Sequence, residues 1–144
     1  TEGSYTTLVG RWINNIENGL PCEIYGDGEQ RRDFTHVDDI VDALIKIMER
    51  QPYFEEKKIY PGIFELGRGK NHSVNEVAEM FGIEPIYKEA KPGEARHTLC
   101  ESNYWVAAKE FLNWIPQKDL LHYIQTFKNE NIINTTKQKQ PKVS

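Results

Sequence analysis

Residues 24–39 read IYGDGEQRRDFTHVDD and place several structural signals close together. The apolar segment 22–25 favours a short strand. The glycines of segment 26–28 are typical of a tight turn, because glycine tolerates positive φ. Residues 32–37 alternate well enough to predict a second strand, and either Asp38 or Asp39 can cap a following helix. The stretch therefore predicts strand, turn, strand and helix in succession.

The flanking sequence extends this pattern in both directions. Apolar spacing predicts a helix over 7–18, a second helix that ends before Pro52, and further helices over 103–113 and 118–127. Ser73-Val-Asn-Glu76 has the spacing of a capping box and predicts another helix that ends at Gly82. The second helix is expected to bury one stripe, formed by Ile40, Ala43, Leu44, Ile47 and Met48. Further strands or extended segments are expected at 63–66, 86–88 and 97–100.

Helices of about ten residues with short strands between them predict a small mixed α/β domain over residues 1–128. Residues 129–144 are rich in Asn, Gln, Lys and Thr and hold few large apolar groups. Such a segment buries too little surface to offset its chain entropy, so it is predicted to be a disordered tail.

Composition narrows the function. The 144 residues hold 18 Lys and Arg against 22 Asp and Glu, a net charge of −4, which argues against general nucleic-acid binding. The chain has no apolar run near the ~20 residues that a membrane span needs. No signal peptide is expected from the first ten residues. Two cysteines favour free thiols in a reducing cytoplasm over a disulfide scaffold.

The residues alone indicate anion binding more strongly than catalysis. The four histidines show no metal-ligand spacing, so no metal site is predicted. The pairs Gly26/Gly28 and Gly67/Gly69 lack the third glycine of a dinucleotide motif and are interpreted as turns. An arginine at 31 or 32 can present its planar fork to a phosphate, unless it pairs with an acid at 27, 29 or 33. The loop 91–94, KPGE, offers a cation and a carboxylate that suit a phosphate and a ribose hydroxyl, unless it is only a solvated turn.

Residues 24–39 closely resemble the I-x-G-D-G-x-Q-x-R-D-F-x-H/Y-V-x-D stretch of NAD-dependent nucleotide-sugar epimerases and dehydratases. These are extended short-chain dehydrogenases of the UDP-glucose 4-epimerase type. Further matches follow in the family's order: FELG at 64–67, SV at 73–74, KPGEARH at 91–97 and FLNW at 111–114. The resemblance covers roughly residues 7–127.

The resemblance implies a set of substrate-binding residues. In the family, the strand before the glycine turn lies along the base, which places Tyr25 there. Its R-D-F arginine, here Arg32, binds the diphosphate, and the aromatic at Phe34 lies at the ribose. The loop residues Lys91 and Glu94 contact phosphate and ribose, although the family usually has Arg and Asp at these positions. The full implied set is Glu23, Ile24, Tyr25, Arg32, Phe34, Val74, Lys91 and Glu94.

The resemblance also implies what the chain needs from elsewhere. The family's Rossmann lobe carries a G-x-x-G-x-x-G motif and a catalytic Y-x-x-x-K pair, and both are expected to be absent here. The chain therefore resembles the C-terminal substrate-binding lobe alone. We expect it to hold no catalytic residue, to leave NAD to the missing lobe, and to show no turnover by itself.

The parent reaction would be oxidation and re-reduction, or elimination, at a carbon of a nucleotide sugar, for which we expect a UDP-sugar. The expected partners are the nucleotide sugar and the Rossmann lobe, with homo-oligomers left open, and neither nucleic acid nor membrane is expected. The alternative is a stand-alone nucleotide-sugar-binding or interaction module without catalysis. The two hypotheses differ in one respect, because only the first predicts an uncovered apolar face where a lobe docks.

Overall fold

The computed structural model describes residues 7–59 and 62–138, with side chains as far as Ile132. No helix within these residues is long and apolar enough to cross a membrane. In chain order the elements are α1 (Leu8–Glu17), β1 (Glu23–Tyr25), β2 (Arg31–Arg32), α2 (Val37–Lys57), β3 (His72–Ser73), α3 (Val74–Phe81), β4 (Ile86–Lys88), α4 (Asn103–Leu112) and α5 (Leu120–Gln138).

The strands form two small pairs. β1 pairs in parallel with β4, so that Ile24 lies beside Tyr87, and β2 pairs antiparallel with β3. Arg31 of β2 also forms an isolated bridge with His97. The parallel pair requires a crossover connection, and this connection contains α2 and α3. The structure thus has the mixed α/β class predicted from the sequence.

Two apolar clusters hold these elements together. In the first, α1, α3 and α5 pack around β1 through Trp12, Ile24, Val77 and Ile124. Trp12 is fully buried, and its indole Nε1 donates to the carbonyl of Glu23 at 3.3 Å. The second cluster joins α2 to α4 and to Trp114. The first cluster fixes β1, which forms a wall of the cavity described below.

Helix α2 differs from its prediction at both ends and in its buried stripe. It begins at Val37 with His36 as its N-cap, so neither Asp38 nor Asp39 is the cap, and it continues through Pro52 to Lys57. Within the predicted stripe, Ala43 is buried, and Ile40 and Ile47 are half-buried. Leu44 and Met48 are 52% and 74% exposed. The prediction of a buried stripe is therefore wrong for Leu44 and Met48, which the described residues leave uncovered.

Other boundaries also differ from the sequence prediction. Strand β2 has two residues rather than six, and 63–66 and 98–100 form no strand. Thr98 N donates to Arg31 O and Glu65 N donates to Tyr104 O, but these single backbone bonds do not extend into a ladder among the described residues. Helix α5 continues to Gln138, so the predicted end at 127 is wrong and 129–138 of the predicted tail is helical. The prediction for 139–144 lies outside the described residues.

Candidate functional site

A cavity of about 400 Å³ opens between α1, β1, the start of α3 and the loop after β4. All eight residues of the implied substrate-binding set line it. Five further residues complete the lining, which the sequence analysis did not single out: Leu8, Arg11, Gln30, Pro92 and Gly93. Leu8 and Arg11 lie on the same face of α1, and this helical spacing is the signal that a sequence reading could have used.

Strand β1 contributes alternating side chains to this cavity. Ile24 is buried in the core, which turns Glu23 and Tyr25 to the opposite face. The Tyr25 hydroxyl donates to Glu23 Oε2 at 3.1 Å, and this bond, with the charge of Glu23, raises the pKa of Tyr25. Buried Gln30 donates from Nε2 to the carbonyl of Tyr25 at 2.9 Å, which fixes the end of the strand.

The two adjacent arginines have different surroundings. The Arg31 guanidinium donates to both carboxylate oxygens of Glu76, at 3.0 and 3.2 Å, and to Asn71. It is absent from the cavity lining, whereas Arg32 lines the cavity. Arg32 donates from Nη1 to the carbonyl of Arg31 at 2.8 Å and from Nη2 to Glu94 Oε1 at 3.3 Å. The structure therefore brings Arg32, and not Arg31, to the cavity.

The loop after β4 closes one side of the cavity. Lys91 Nζ lies 3.8 Å from the centre of the Tyr25 ring, a cation–π contact. Glu94 contacts Arg32 from the same loop. The cavity lining thus carries three cations, Arg11, Arg32 and Lys91, and two carboxylates. Arginine forks suit phosphate oxygens and carboxylates suit sugar hydroxyls, so the lining matches a phosphorylated, hydroxyl-bearing ligand.

The glycine pairs do not fit the pyrophosphate of NAD. A Cβ at Gly28 would lie 2.0 Å from Asn75 Oδ1, and one at Gly69 would lie 2.3 Å from the Trp105 ring. These glycines allow close packing against the chain's own side chains and leave no open cradle. The close packing at Gly28 and Gly69 is that of turns packed against side chains, in agreement with the interpretation of both pairs as turns.

The expectation that the Y-x-x-x-K spacing is absent is wrong as stated, because it occurs at Tyr53/Lys57 and at Tyr87/Lys91. In both pairs the lysine ammonium contacts a group other than the tyrosine hydroxyl. Lys57 pairs with Glu56 on the surface of α2. Tyr87 donates to Asn75 Oδ1 at 2.9 Å, while Lys91 lies over the Tyr25 ring. Neither pair shows a tyrosine hydroxyl held beside a lysine ammonium.

Comparison with known proteins matches this chain to sugar-nucleotide epimerases and their relatives. The model of the NAD dependent epimerase/dehydratase family matches residues 1–61. The chain is 35% identical over 114 residues to UDP-glucuronate 4-epimerase of Thermodesulfobacterium geofontis, which covers 76% of this chain and 32% of that protein. It spans between 20% and 31% of the first curated relatives that it matches.

Solved structures give the same result. The UDP-glucose 4-epimerase of Thermotoga maritima, solved with UDP-glucose, superposes with a TM-score of 0.67 at 28% identity, over 88% of this chain and 40% of that one. MoeE5, solved with UDP-glucose and NAD, superposes with a TM-score of 0.66 at 29% identity, over 88% of this chain and 42% of that one. The chain belongs to the NAD-dependent epimerase/dehydratase family, and its small mixed α/β fold matches part of the epimerase fold.

Proposed function

We propose that the cavity binds the nucleoside diphosphate of a nucleotide sugar. The observation that carries the proposal is the convergence of residues 23–25, 30, 32, 34, 74 and 91–94 on one cavity with the Arg32 fork in its lining. In this proposal Tyr25 and the β1 backbone lie along the base, and Phe34 lies at the ribose. Arg32 and Lys91 hold the diphosphate, and Glu94 accepts from ribose hydroxyls.

The proposed parent reaction is NAD-dependent oxidation at a sugar carbon followed by re-reduction or elimination. The names of the relatives, which include UDP-glucuronate 4-epimerase and dTDP-L-rhamnose 4-epimerase, support a nucleotide-sugar substrate. In this proposal the cavity supplies remote binding energy and orientation, while NAD and the groups that transfer hydride and proton are held outside these residues. The cytoplasmic location stays a prediction. It was based on the two cysteines, Cys22 and Cys100, which are both free and buried.

We propose further that a Rossmann lobe covers the exposed apolar face of α2. This face consists of Val37, Val41, Leu44, Ile45 and Met48. It adjoins a groove of about 450 Å³ whose lining includes Leu44, Phe54 and Leu66. The solved relatives are more than twice as long as the part this chain matches, so they contain further residues that can cover such a face.

The test of diphosphate binding compares Arg32→Ala with Arg31→Ala in the 144-residue chain, with UDP titrated against each and followed by NMR. Loss of a charge-assisted hydrogen bond costs about 1.5–3 kcal/mol. Arg32→Ala should therefore weaken UDP binding roughly tenfold or more. Arg32→Lys, which keeps the charge but loses the fork, should be intermediate.

Arg31→Ala serves as the matched control, because it removes the same group from the neighbouring position. It should lower the free energy of unfolding, since Glu76 loses its partner, and leave the UDP affinity of the folded chain nearly unchanged. Equal losses of affinity in the two variants would refute the assignment of Arg32. Absence of UDP binding by the wild-type chain at millimolar concentration would refute the proposed function.

A further inference from the structure

Asp27 and Arg96 form an ion pair at the outer end of the loop that closes the cavity. Arg96 Nη1 and Nη2 each donate to a separate carboxylate oxygen of Asp27 at 2.8 Å. Asp27 lies between Gly26 and Gly28, which have φ of 83° and 76°, and its Oδ1 also accepts from the amide of Glu29 at 3.0 Å. The carboxylate is thus held by its own turn while it receives the arginine fork.

The turn that carries Asp27 is itself fixed to α3. The carbonyl of Gly28 accepts from the amide of Asn75 at 3.0 Å, and Asn75 Nδ2 donates to the carbonyl of Asp27 at 3.0 Å. The absent Cβ of Gly28 allows this close approach. Asp27 is therefore a firm anchor point on the body of the domain.

Side-chain contacts hold the C-terminal part of the loop to other segments. Asn71 Nδ2 lies 2.9 Å from His97 Nε2 and donates to the carbonyl of Thr98 at 3.0 Å, and Thr98 Oγ1 accepts from the amide of Asp33 at 3.2 Å. Residues 91–98 are all exposed. Two backbone bonds join 96–98 to Arg31, from Arg31 N to Arg96 O at 2.9 Å and from Thr98 N to Arg31 O at 3.0 Å. Closer to the cavity, Glu94 contacts Arg32 at 3.3 Å. Two ion pairs, Arg96–Asp27 and Arg32–Glu94, thus tie this loop to the segment 27–32.

The Arg32–Glu94 ion pair lies at the cavity, and Arg32 is the residue that the proposed function assigns to the diphosphate. A ligand phosphate that takes the Arg32 fork competes with Glu94 for it. The Asp27–Arg96 pair is absent from the cavity lining, so a ligand in the cavity does not compete for its groups. The Arg96 guanidinium lowers the pKa of Asp27 to about 2, so the carboxylate stays ionised at neutral pH.

We propose that Asp27 and Arg96 are positioning residues, whose ion pair holds the loop 91–94 at the cavity while Arg32 is engaged by a ligand. The ligand part of this inference rests on the proposed function. Neither residue touches the ligand, and each acts through the placement of Lys91 and Glu94. The inference predicts that loss of the pair loosens the loop first and weakens nucleotide binding as a consequence.

The experiment uses the 144-residue chain with Asp27→Asn, Arg96→Gln and the double variant. Asp27→Asn retains a side-chain oxygen for the Glu29 amide, and it removes the charge and one acceptor of the Arg96 fork. Amide hydrogen exchange without ligand is measured over 91–98, and the Kd for UDP is measured by NMR titration. Lys57→Gln is the matched control, because it breaks an exposed ion pair on α2, which does not line the cavity.

Each single variant should speed amide exchange in the loop and weaken UDP binding about two- to fivefold, the scale of an exposed ion pair. The double variant should resemble either single one, because both remove the same interaction. Arg96→Lys should restore part of the affinity. Each variant should remain folded under the conditions of the titration, so that unfolding does not account for its lower UDP affinity. Lys57→Gln should alter neither the amide exchange of the loop nor the Kd for UDP.

Unchanged exchange over 91–98 in both single variants would overturn the inference. Additive losses in the double variant would also overturn it, since they would show that the two side chains act separately. If the wild-type chain does not bind UDP, the proposed function fails, and the exchange measurement alone decides whether the pair holds the loop.

Discussion

At the scale of single residues, Asp39 is a buried carboxylate that joins two distant parts of the chain. It is 5% exposed, and its Oδ1 and Oδ2 accept from the amides of Gln117 and Lys118 at 2.9 and 3.0 Å. Its backbone carbonyl accepts from the indole of Trp114 at 2.9 Å. From the sequence, Asp39 was predicted as a candidate cap of its own helix. Nothing near residue 39 indicates partners some 78 residues away, so this contact could not be predicted. The side chain instead satisfies the backbone between α4 and α5.

Replacement of Asp39 by Ala should therefore destabilise the fold strongly. The partly buried amides of Gln117 and Lys118 would lose their acceptor, and an amide left unsatisfied away from water costs about 1–3 kcal/mol. We expect the free energy of unfolding to fall by about 2–4 kcal/mol in urea denaturation. Asp42→Ala, an exposed position of the same helix, is the control and should change it by less than about 0.5 kcal/mol. Similar effects of the two variants would contradict this account of Asp39.

At the scale of elements, α3 formed as the sequence predicted because its signals are local. Ser73 Oγ accepts from the amide of Glu76, and Glu76 accepts from the amide of Ser73, which completes the capping box. Gly82 ends the helix in the left-handed conformation. The same glutamate also binds Arg31, which the sequence did not indicate. Glu76 thus caps α3 and also binds the guanidinium of Arg31, which does not line the cavity.

The bonds to Glu76 should make stability depend on pH. The amide of Ser73, followed by Arg31, lowers the pKa of Glu76 in the folded chain. A carboxyl with a lowered folded pKa stabilises the fold above its unfolded pKa, and this contribution is lost as the pH falls through the folded value. We expect Glu76→Gln to be less stable than wild type at pH 7, by less than about 1 kcal/mol.

That difference should shrink at pH 3, as measured by urea denaturation at both pH values. Glutamine still serves in the capping box, so the comparison isolates the charge. Glu79→Gln, on the exposed side of α3, should show no such convergence. A Glu76→Gln deficit that is as large at pH 3 as at pH 7 would show that the charge of Glu76 does not stabilise the fold.

The limits of sequence prediction follow from the same distinction between local and distant contacts. Turns, caps and the apolar period of α1 depend on neighbours along the chain, and α1, β1, α3 and β4 appeared close to their predicted positions. The short β2 and the absent strand at 63–66 depend on pairing that no local pattern encodes. Eight residues of the cavity lining were predicted through motifs, whereas Arg11 and Gln30 were missed. Helical spacing with Leu8 could have indicated Arg11, and Gln30 stands in the quoted motif but was given no role.

At the scale of the whole molecule, the uncovered face of α2 distinguishes the two hypotheses raised by the sequence. Val37, Val41, Leu44, Ile45 and Met48 lie on the exposed side of one helix, and each is at least 46% exposed. A stand-alone module is expected to cover such a face with its own residues, and the described residues do not. The face is what the hypothesis of a domain that completes its core against further protein predicts, and on that hypothesis we expect the 144-residue chain to associate with itself.

Met48→Glu should suppress this self-association. Burial of a methionine side chain contributes about 1.5–3 kcal/mol, and an unpaired carboxylate in the same place opposes burial, so the association constant should fall tenfold or more. Light scattering over a range of concentrations measures the effect. Leu20→Glu is the matched control, because it introduces the same charge at an exposed leucine outside α2 and should leave association unchanged. If the wild-type chain stays monomeric at high concentration, or if the two substitutions have equal effects, this face does not mediate self-association. Either result would favour the stand-alone module.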